Sequence, residues 1–254
     1  MNVRPSGVVT LTTDAGASDP LVGIVKGAIF KAAPKTLTVD LAHEVPARDV
    51  AAGAFLMWSA IGRWPDGAVH VGLVDAGSGC DRRILAASAH QQYWLAPDNA
   101  LLGAVLAAGG DAEVRAVDAS HLGLQRDEAA FDSRVALAAA AALLSSGRYG
   151  FGALGPAVSD HDGRDMVFCG TPRVVHADRH GNLVINARVP KGVEGSVQVN
   201  GRSLPLHRRY RDVDAGRLYA YVGALGLLEI TARDGSAAAA LGIARGDEIS
   251  LVTP

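Results

Sequence analysis

Aspartates at the ends of apolar runs are the residues of this chain best suited to chemistry. Asp75 follows Val69-His70-Val71-Gly72-Leu73-Val74 and opens the loop Ala76-Gly77-Ser78-Gly79-Cys80, which closes on Arg82 and Arg83. Asp14 and Asp19 follow Val8-Val9-Thr10-Leu11-Thr12, Asp98 follows Tyr93-Trp94-Leu95-Ala96, and Asp178 and Asn182 flank a turn after Val174-Val175. A carboxylate at the carboxyl end of a parallel strand, followed by glycine-rich backbone, is where open α/β sheets place ligands. An aspartate accepts bonds from the two vicinal hydroxyls of a ribose, and it pairs with the cationic head of an amino acid. Taken singly, each aspartate also fits a cap or a turn. Their arrival together at strand ends points to a site.

The elements that must position these residues are legible from periodicity. Val8–Thr12, Leu37–Leu41 and Val69–Val74 read as buried strands. Between them, Leu21, Val22, Val25, Ile29 and Ala32 recur at helical spacing up to Pro34, and Asp49 caps a second helix carrying Val50, Ala54, Trp58 and Ile61. Strand, helix, strand, helix, strand at these intervals predicts an α/β domain with a mainly parallel sheet and helices on both faces. Ile84–Ala89, Tyr93–Ala96 and Glu113–Val117 add strands, Leu101–Leu106 a short helix, and Ser133 or Arg134 to Ser145 an alanine-rich helix. Gly150–Gly170 is irregular, which puts a boundary near residue 165. Residues 1–165 then form the α/β domain and residues 166–254 a small all-β, barrel-like domain. The strands expected in it are Val174-Val175, Leu183–Ile185, Val197–Val199, Leu218–Val222, Leu227–Thr231 and Glu248–Val252.

Composition narrows the partners. With 254 residues, 49% hydrophobic, 20% charged and a formal net charge of -2, the chain has no global field favouring nucleic acid or membrane. Its longest apolar run, Val135–Leu144, is too short to span a bilayer, and a cytoplasmic location is expected. Cys80 and Cys169 make neither a disulfide framework nor a metal quartet, and His43, His70, His161, His176 and His180 show no metal-ligand spacing, so no metal is expected. A GxGxxG fingerprint, a phosphate-binding loop ending in Gly-Lys-Ser or Gly-Lys-Thr, and a G-x-S-x-G elbow are all absent from the sequence.

Several motifs, in order along nearly the whole chain, resemble one family. They are Leu11-Thr12-Thr13-Asp14-Ala15-Gly16 with Asp19, Val39-Asp40-Leu41 with His43-Glu44-Val45-Pro46, and Val69-His70-Val71 with Val74-Asp75, Gly77, Gly79 and Arg82-Arg83. Ala96-Pro97-Asp98-Asn99, Asp178 with Gly181-Asn182-Leu183, and Leu228-Glu229-Ile230 with Gly235 and Ala237-Ala238 follow. Together they resemble the S-adenosyl-L-methionine (SAM) hydroxide adenosyltransferases, a group that includes SAM hydrolases and is related to SAM-dependent fluorinases and chlorinases.

The resemblance implies attack of water at the ribose C5′ of SAM, with adenosine and methionine as products, SAM as substrate and no cofactor. It implies a homotrimer with sites between neighbouring subunits. Asp14 would hold the ribose hydroxyls, Asp19 and Asp178 would face the methionine end, and Asn182 and the backbone near Gly235 would meet adenine. Asp75 and Arg82 match the pair that positions the attacking water. The hydrolases' Phe-His-Gly-Arg stretch is Phe131-Asp132-Ser133-Arg134 here, which puts Asp132 in the histidine's place, and the family's Asn-Ser pair is Gly223-Ala224. Ser78 and Ser133 match small hydroxyl positions of the halogenating relatives. Halide transfer and non-catalytic nucleoside binding therefore stand beside hydrolysis as alternatives.

Overall fold

The computed structural model describes residues 3–76, 82–124, 132–190, 193–208, 211 and 213–253, excepting the side chain of Asp132. The chain divides into two compact units, Met1–Met166 and Val167–Pro254.

In the first unit six strands form one sheet: β1 (Val8–Thr13), β2 (Leu37–Ala42), β3 (Val69–Leu73), β4 (Ile84–Ala89), β5 (Gln92–Pro97) and β6 (Glu113–Ala116). Their order is β2-β1-β3-β5-β4-β6. The pairs β1–β2, β1–β3 and β3–β5 are parallel, and β4 runs antiparallel to both β5 and β6. The antiparallel margin arises at His90-Gln91, whose φ angles of 54° and 59° make a two-residue reversal of the kind that tight hairpins need.

Four α-helices among the described residues of this unit cover both faces of the sheet: α1 (Leu21–Ala32), α2 (Val50–Ser59), α3 (Gly103–Ala107) and α4 (Asp132–Ser145). Strand periodicity sorts the layers. Val9, Leu11, Val69, Val71 and Leu73 join Val25 and Ile29 of α1 and Leu137 and Leu144 of α4 in one core. The opposite face of β3 meets α2 and the segment leading into α3: a Cβ built on Gly72 would lie 2.7 Å from Leu101 and 3.3 Å from Met57. Asp49 caps α2 as expected, accepting the Ala52 N–H at 2.9 Å.

The second unit is smaller, and its strands pair antiparallel, with one isolated parallel bridge between Leu206 and Ala220. One sheet is ordered β11-β12-β8-β7 and the other β10-β9-β13. Its strands are β7 (Val174–Ala177), β8 (Leu183–Ile185), β9 (Ser196–Val199), β10 (Arg202–Pro205), β11 (Leu218–Val222), β12 (Leu228–Ala232) and β13 (Leu251–Val252). Both sheets contribute to a single core containing Leu183, Ile185, Val197, Val199, Leu204 and Ile230. Two elements lie outside the strands expected from the sequence. Arg202–Pro205 has one buried side chain, Leu204, and is a strand because it pairs with β9. Ala237–Leu241 is a short helix, α5, capped by Ser236 and closed by Gly242 in the left-handed region.

Candidate active site

The carboxyl ends of β1 and β3 bring Asp14 and Asp75 together. Asp14 Oδ2 accepts the N–H of Asp75 at 3.2 Å and that of Arg48 at 2.9 Å. Arg82 closes over the same residue: its Nη1 donates to the Asp75 carbonyl at 2.5 Å and to Asp75 Oδ2 at 3.2 Å. Asp75 has a φ of 45°. A non-glycine residue in that region is uncommon outside Asn and Asp and costs on the order of 1 kcal/mol. Three of the ten expected site residues, Asp14, Asp75 and Arg82, thus form one bonded cluster.

The loop bearing Asp14 is laced to the loop after β2. Gly16 N–H donates to the His43 carbonyl at 2.8 Å, Ala17 N–H to Glu44 Oε1 at 2.8 Å, and Val45 N–H to the Thr13 carbonyl at 3.3 Å. Beneath it runs a polar chain: Thr13 Oγ1 lies 3.0 Å from His43 Nδ1, His43 Nε2 lies 3.0 Å from Asp40, and Asp40 pairs with Lys26 at 2.8 Å. Burial alone would raise the Asp40 pKa, but the bonds from Lys26 and His43 outweigh it and hold the carboxyl below its ordinary range.

On the other side of Asp75, Arg83 bonds Asp98 through Nε and Nη2 at 3.0 and 2.7 Å and reaches Asp160 at 3.2 Å. Asp98 therefore serves an ion-pair network that ties β4 to β5. Asp19 accepts the Leu21 N–H at 2.8 Å at the head of α1 and bonds no other expected site residue among those described. Ser133 lies half-buried in the first turn of α4. Ser78 and the side chain of Asp132 lie outside the described residues.

The second unit holds its own cluster. Asp178 Oδ1 accepts the N–H groups of His180 and Asn182 at 2.8 and 2.9 Å, and Oδ2 accepts Asn182 Nδ2 at 2.7 Å. Burial would raise this carboxyl, yet the three donated bonds prevail and keep its pKa below the usual value. Thr231 donates to Asn182 Oδ1, so β12 fixes the amide from the far side. Gly181 has a φ of 80°, and a Cβ there would meet Ser236 Oγ at 2.0 Å, which brings the Gly235-Ser236 turn against Asn182. Asp178, Asn182 and Gly235 are thereby assembled at one end of the four-stranded sheet.

Beside them on β11 and β12, Tyr221 donates to Glu229, and burial raises the pKa of both. Sequence reasoning gave this pair no role. Its signal was the Tyr221-to-Glu229 register across two alternating strands. A groove of about 540 Å³, lined by Arg202, His207, Asp214 and Arg217 among others, lies elsewhere in this unit and takes in none of the expected residues. No group of three or more metal-ligating side chains occurs among the described residues, and no described helix is long and apolar enough to cross a membrane.

Comparison with known proteins covers both units. Residues 9–155 match the SAM hydroxide adenosyltransferase N-terminal domain, and residues 172–250 the C-terminal domain of the same family. The (R)-S-adenosyl-L-methionine hydrolase of Thermus thermophilus is 35% identical over 96% of this chain and 99% of its own length. The enzyme of that name from Salinispora arenicola is 32% identical, covering 95% and 96%. Among solved structures, an uncharacterized conserved protein from Thermotoga maritima superposes with a TM-score of 0.86 at 25% identity, over 97% of this chain and 100% of that one. A conserved hypothetical protein from Thermus thermophilus gives 0.79 at 32% identity, over 98% and 100%. Motifs, two-unit architecture and matched domains agree that this chain belongs to the SAM hydroxide adenosyltransferase family.

Proposed function

We propose that this protein hydrolyses SAM to adenosine and L-methionine by attack of water at the ribose C5′. The observation that carries the reading is the bond between Asp14 and Asp75. The carboxylate suited to ribose hydroxyls holds the peptide of the carboxylate suited to water, so substrate and nucleophile are located by one rigid unit. Asp14 uses Oδ2 on backbone N–H groups and leaves Oδ1 without a bond from any described residue, available to a ribose hydroxyl.

The chemistry is substitution at a saturated carbon. The water oxygen bonds C5′ as the C5′–S bond breaks, its electron pair passing to sulfur. The sulfonium becomes the neutral thioether of methionine, and the proton released by water passes to Asp75 and on to solvent. Sulfonium is already a good leaving group, so the site mainly aligns the water with the C–S bond. Asp75 orients that water and Arg82 stabilises its carboxylate. Asp132, in the place of the family's histidine, shares the proton-handling, and Ser78 and Ser133 border the nucleophile. Asp19 and Asp178 face the methionine end, and Asn182 with the Gly235 backbone receives adenine.

The related fluorinases and chlorinases direct a halide to the same carbon. Here the half-exposed Asp75 carboxylate would stand beside the halide and repel it, which favours water. The relatives' name specifies the R sulfonium epimer, and we assign the same preference to this chain. A cytoplasmic homotrimer with sites shared between neighbouring chains completes the proposal. Analytical ultracentrifugation tests the trimer directly.

The test of function is chromatography of purified protein with each SAM epimer, with and without chloride or fluoride, alongside Asp75→Asn. Adenosine and methionine formed without halide, and lost in the variant, are expected. A halide-dependent 5′-halogenated nucleoside, or intact SAM in every tube, would overturn the assignment.

A further inference from the structure

We propose that Asn99 is a positioning residue for the hydrolytic step, holding the Asp75 peptide in its left-handed conformation and so aiming the Asp75 carboxylate. The inference rests on the role given to Asp75 above. Asn99 follows β5, on the strand next to β3, and its Nδ2 donates to the carbonyls of Val74 at 3.0 Å and Asp75 at 3.2 Å. Its Oδ1 accepts the Leu101 N–H at 3.3 Å. Only one orientation of the amide satisfies this set, because a flip would face oxygen against two carbonyls and NH₂ against an N–H.

Every polar group of the Asp75 peptide is held. Asp14 takes its N–H, while Arg82 and Asn99 share its carbonyl. Asp14 and Arg82 also face the proposed chemistry through their charges. Asn99 is neutral and its side chain hydrogen-bonds backbone groups, so its contribution is to conformation. Its own anchorage is firm. The Asn99 N–H bonds the Pro97 carbonyl at 2.9 Å, the Asp98 N–H bonds the Arg83 carbonyl at 2.9 Å, and Leu101 and Leu102 beyond it are buried. A φ of 45° at Asp75 is not the backbone's own preference, and releasing the Asn99 clamp lets the peptide rotate toward an extended shape. The carboxylate then swings away from the water it orients, and an error of about 1 Å in such a group costs on the order of a hundredfold in rate.

The test is a kinetic cycle on the full chain: wild type, Asn99→Ala, Asn99→Asp, Asp75→Asn, and Asp75→Asn combined with Asn99→Ala. Asn99→Ala is expected to lower kcat by roughly ten- to a hundredfold, with KM for SAM and Kd for adenosine within about twofold. Asn99→Asp, which keeps the shape but sets a carboxylate against two carbonyls, is expected to lose at least as much. In the Asp75→Asn background, Asn99→Ala is expected to change the residual rate by less than about twofold, since it acts through Asp75. Equal losses in both backgrounds, or an unchanged kcat, overturn the proposal. A crystal structure of Asn99→Ala gives a readout independent of turnover. If wild type leaves SAM intact while Asp75 leaves positive φ in the variant, the reaction assignment falls and the positioning stands. If Asp75 keeps its φ, the positioning falls.

Discussion

Lowering the pH should destabilise the N-terminal unit through one buried imidazole. His70 sits on β3 with no exposed surface, its Nδ1 2.8 Å from Thr10 Oγ1 on β1 and its ring stacked on Trp94 at 4.2 Å. Burial pushes its pKa down to about 4 from an ordinary 6.5, against a smaller upward pull from Gln92. Below about pH 6.5 the unfolded chain binds a proton that the folded chain refuses. The stabilisation is therefore complete above that pH and is lost as pH falls toward 4. The whole shift corresponds to about 3 kcal/mol, of which about 2 kcal/mol is lost by about pH 5. All three tryptophans, Trp58, Trp64 and Trp94, lie in this unit, so their fluorescence in urea reports its unfolding alone. The control is Thr10→Val with His70→Phe, which removes the titrating ring and its partner together and leaves no orphaned hydroxyl. Between about pH 7.5 and pH 5, wild type should lose about 2 kcal/mol more than the control. Equal losses, or an NMR titration of His70 near its ordinary value, would refute the reasoning.

Three further outcomes are expected. Asp75→Asn should reduce kcat by at least about a hundredfold while adenosine still binds, read by single-turnover kinetics and calorimetry. Asn182→Ala should weaken adenosine binding by about tenfold or more, because Asp178 and Thr231 hold that amide in one pose. A protein that keeps wild-type affinity would remove Asn182 from the adenine site. Gly181→Ala combines a positive φ with a Cβ 2.0 Å from Ser236 Oγ, and should destabilise the C-terminal unit by about 1–3 kcal/mol. Hydrogen exchange at β8 and β12 measures that loss, and unchanged protection would count against it.

The alternation of Val9, Leu11, Val69 and Val71 made the parallel core of the sheet legible, because each strand must bury one face against α1 and α4. Strand β10 was not legible: Arg202-Ser203-Leu204-Pro205 has no pattern of its own and owes its shape to β9. Asp14, Asp75 and Arg82 could be nominated from their places at strand ends. That Asp14 grips the Asp75 peptide could not, since the two are 61 residues apart and meet only through β1–β3 pairing. Asn99 was visible as part of a motif. Its role emerged only when a loop after β5 proved to reach the carbonyls ending β3. The family resemblance puts Asp178 at the methionine end; in the fold its oxygens bind the turn that presents Asn182.

The alanine-rich helix α4 has a bearing on how this chain can drift. Ala136 and Ala138–Ala142 are all buried, so almost any replacement along the middle of the helix adds volume to a layer already filled by α1 and β3. Replacements there by residues larger than alanine should destabilise the unit. The first turn carries no such limit, since Ser133 is only half-buried. That turn is also where the chain departs from the Phe-His-Gly-Arg pattern, with Asp132 and Ser133 in place of histidine and glycine. Packing thus leaves the first turn of α4, where the proposed proton-handling residue sits, freer to vary than the buried middle of the helix.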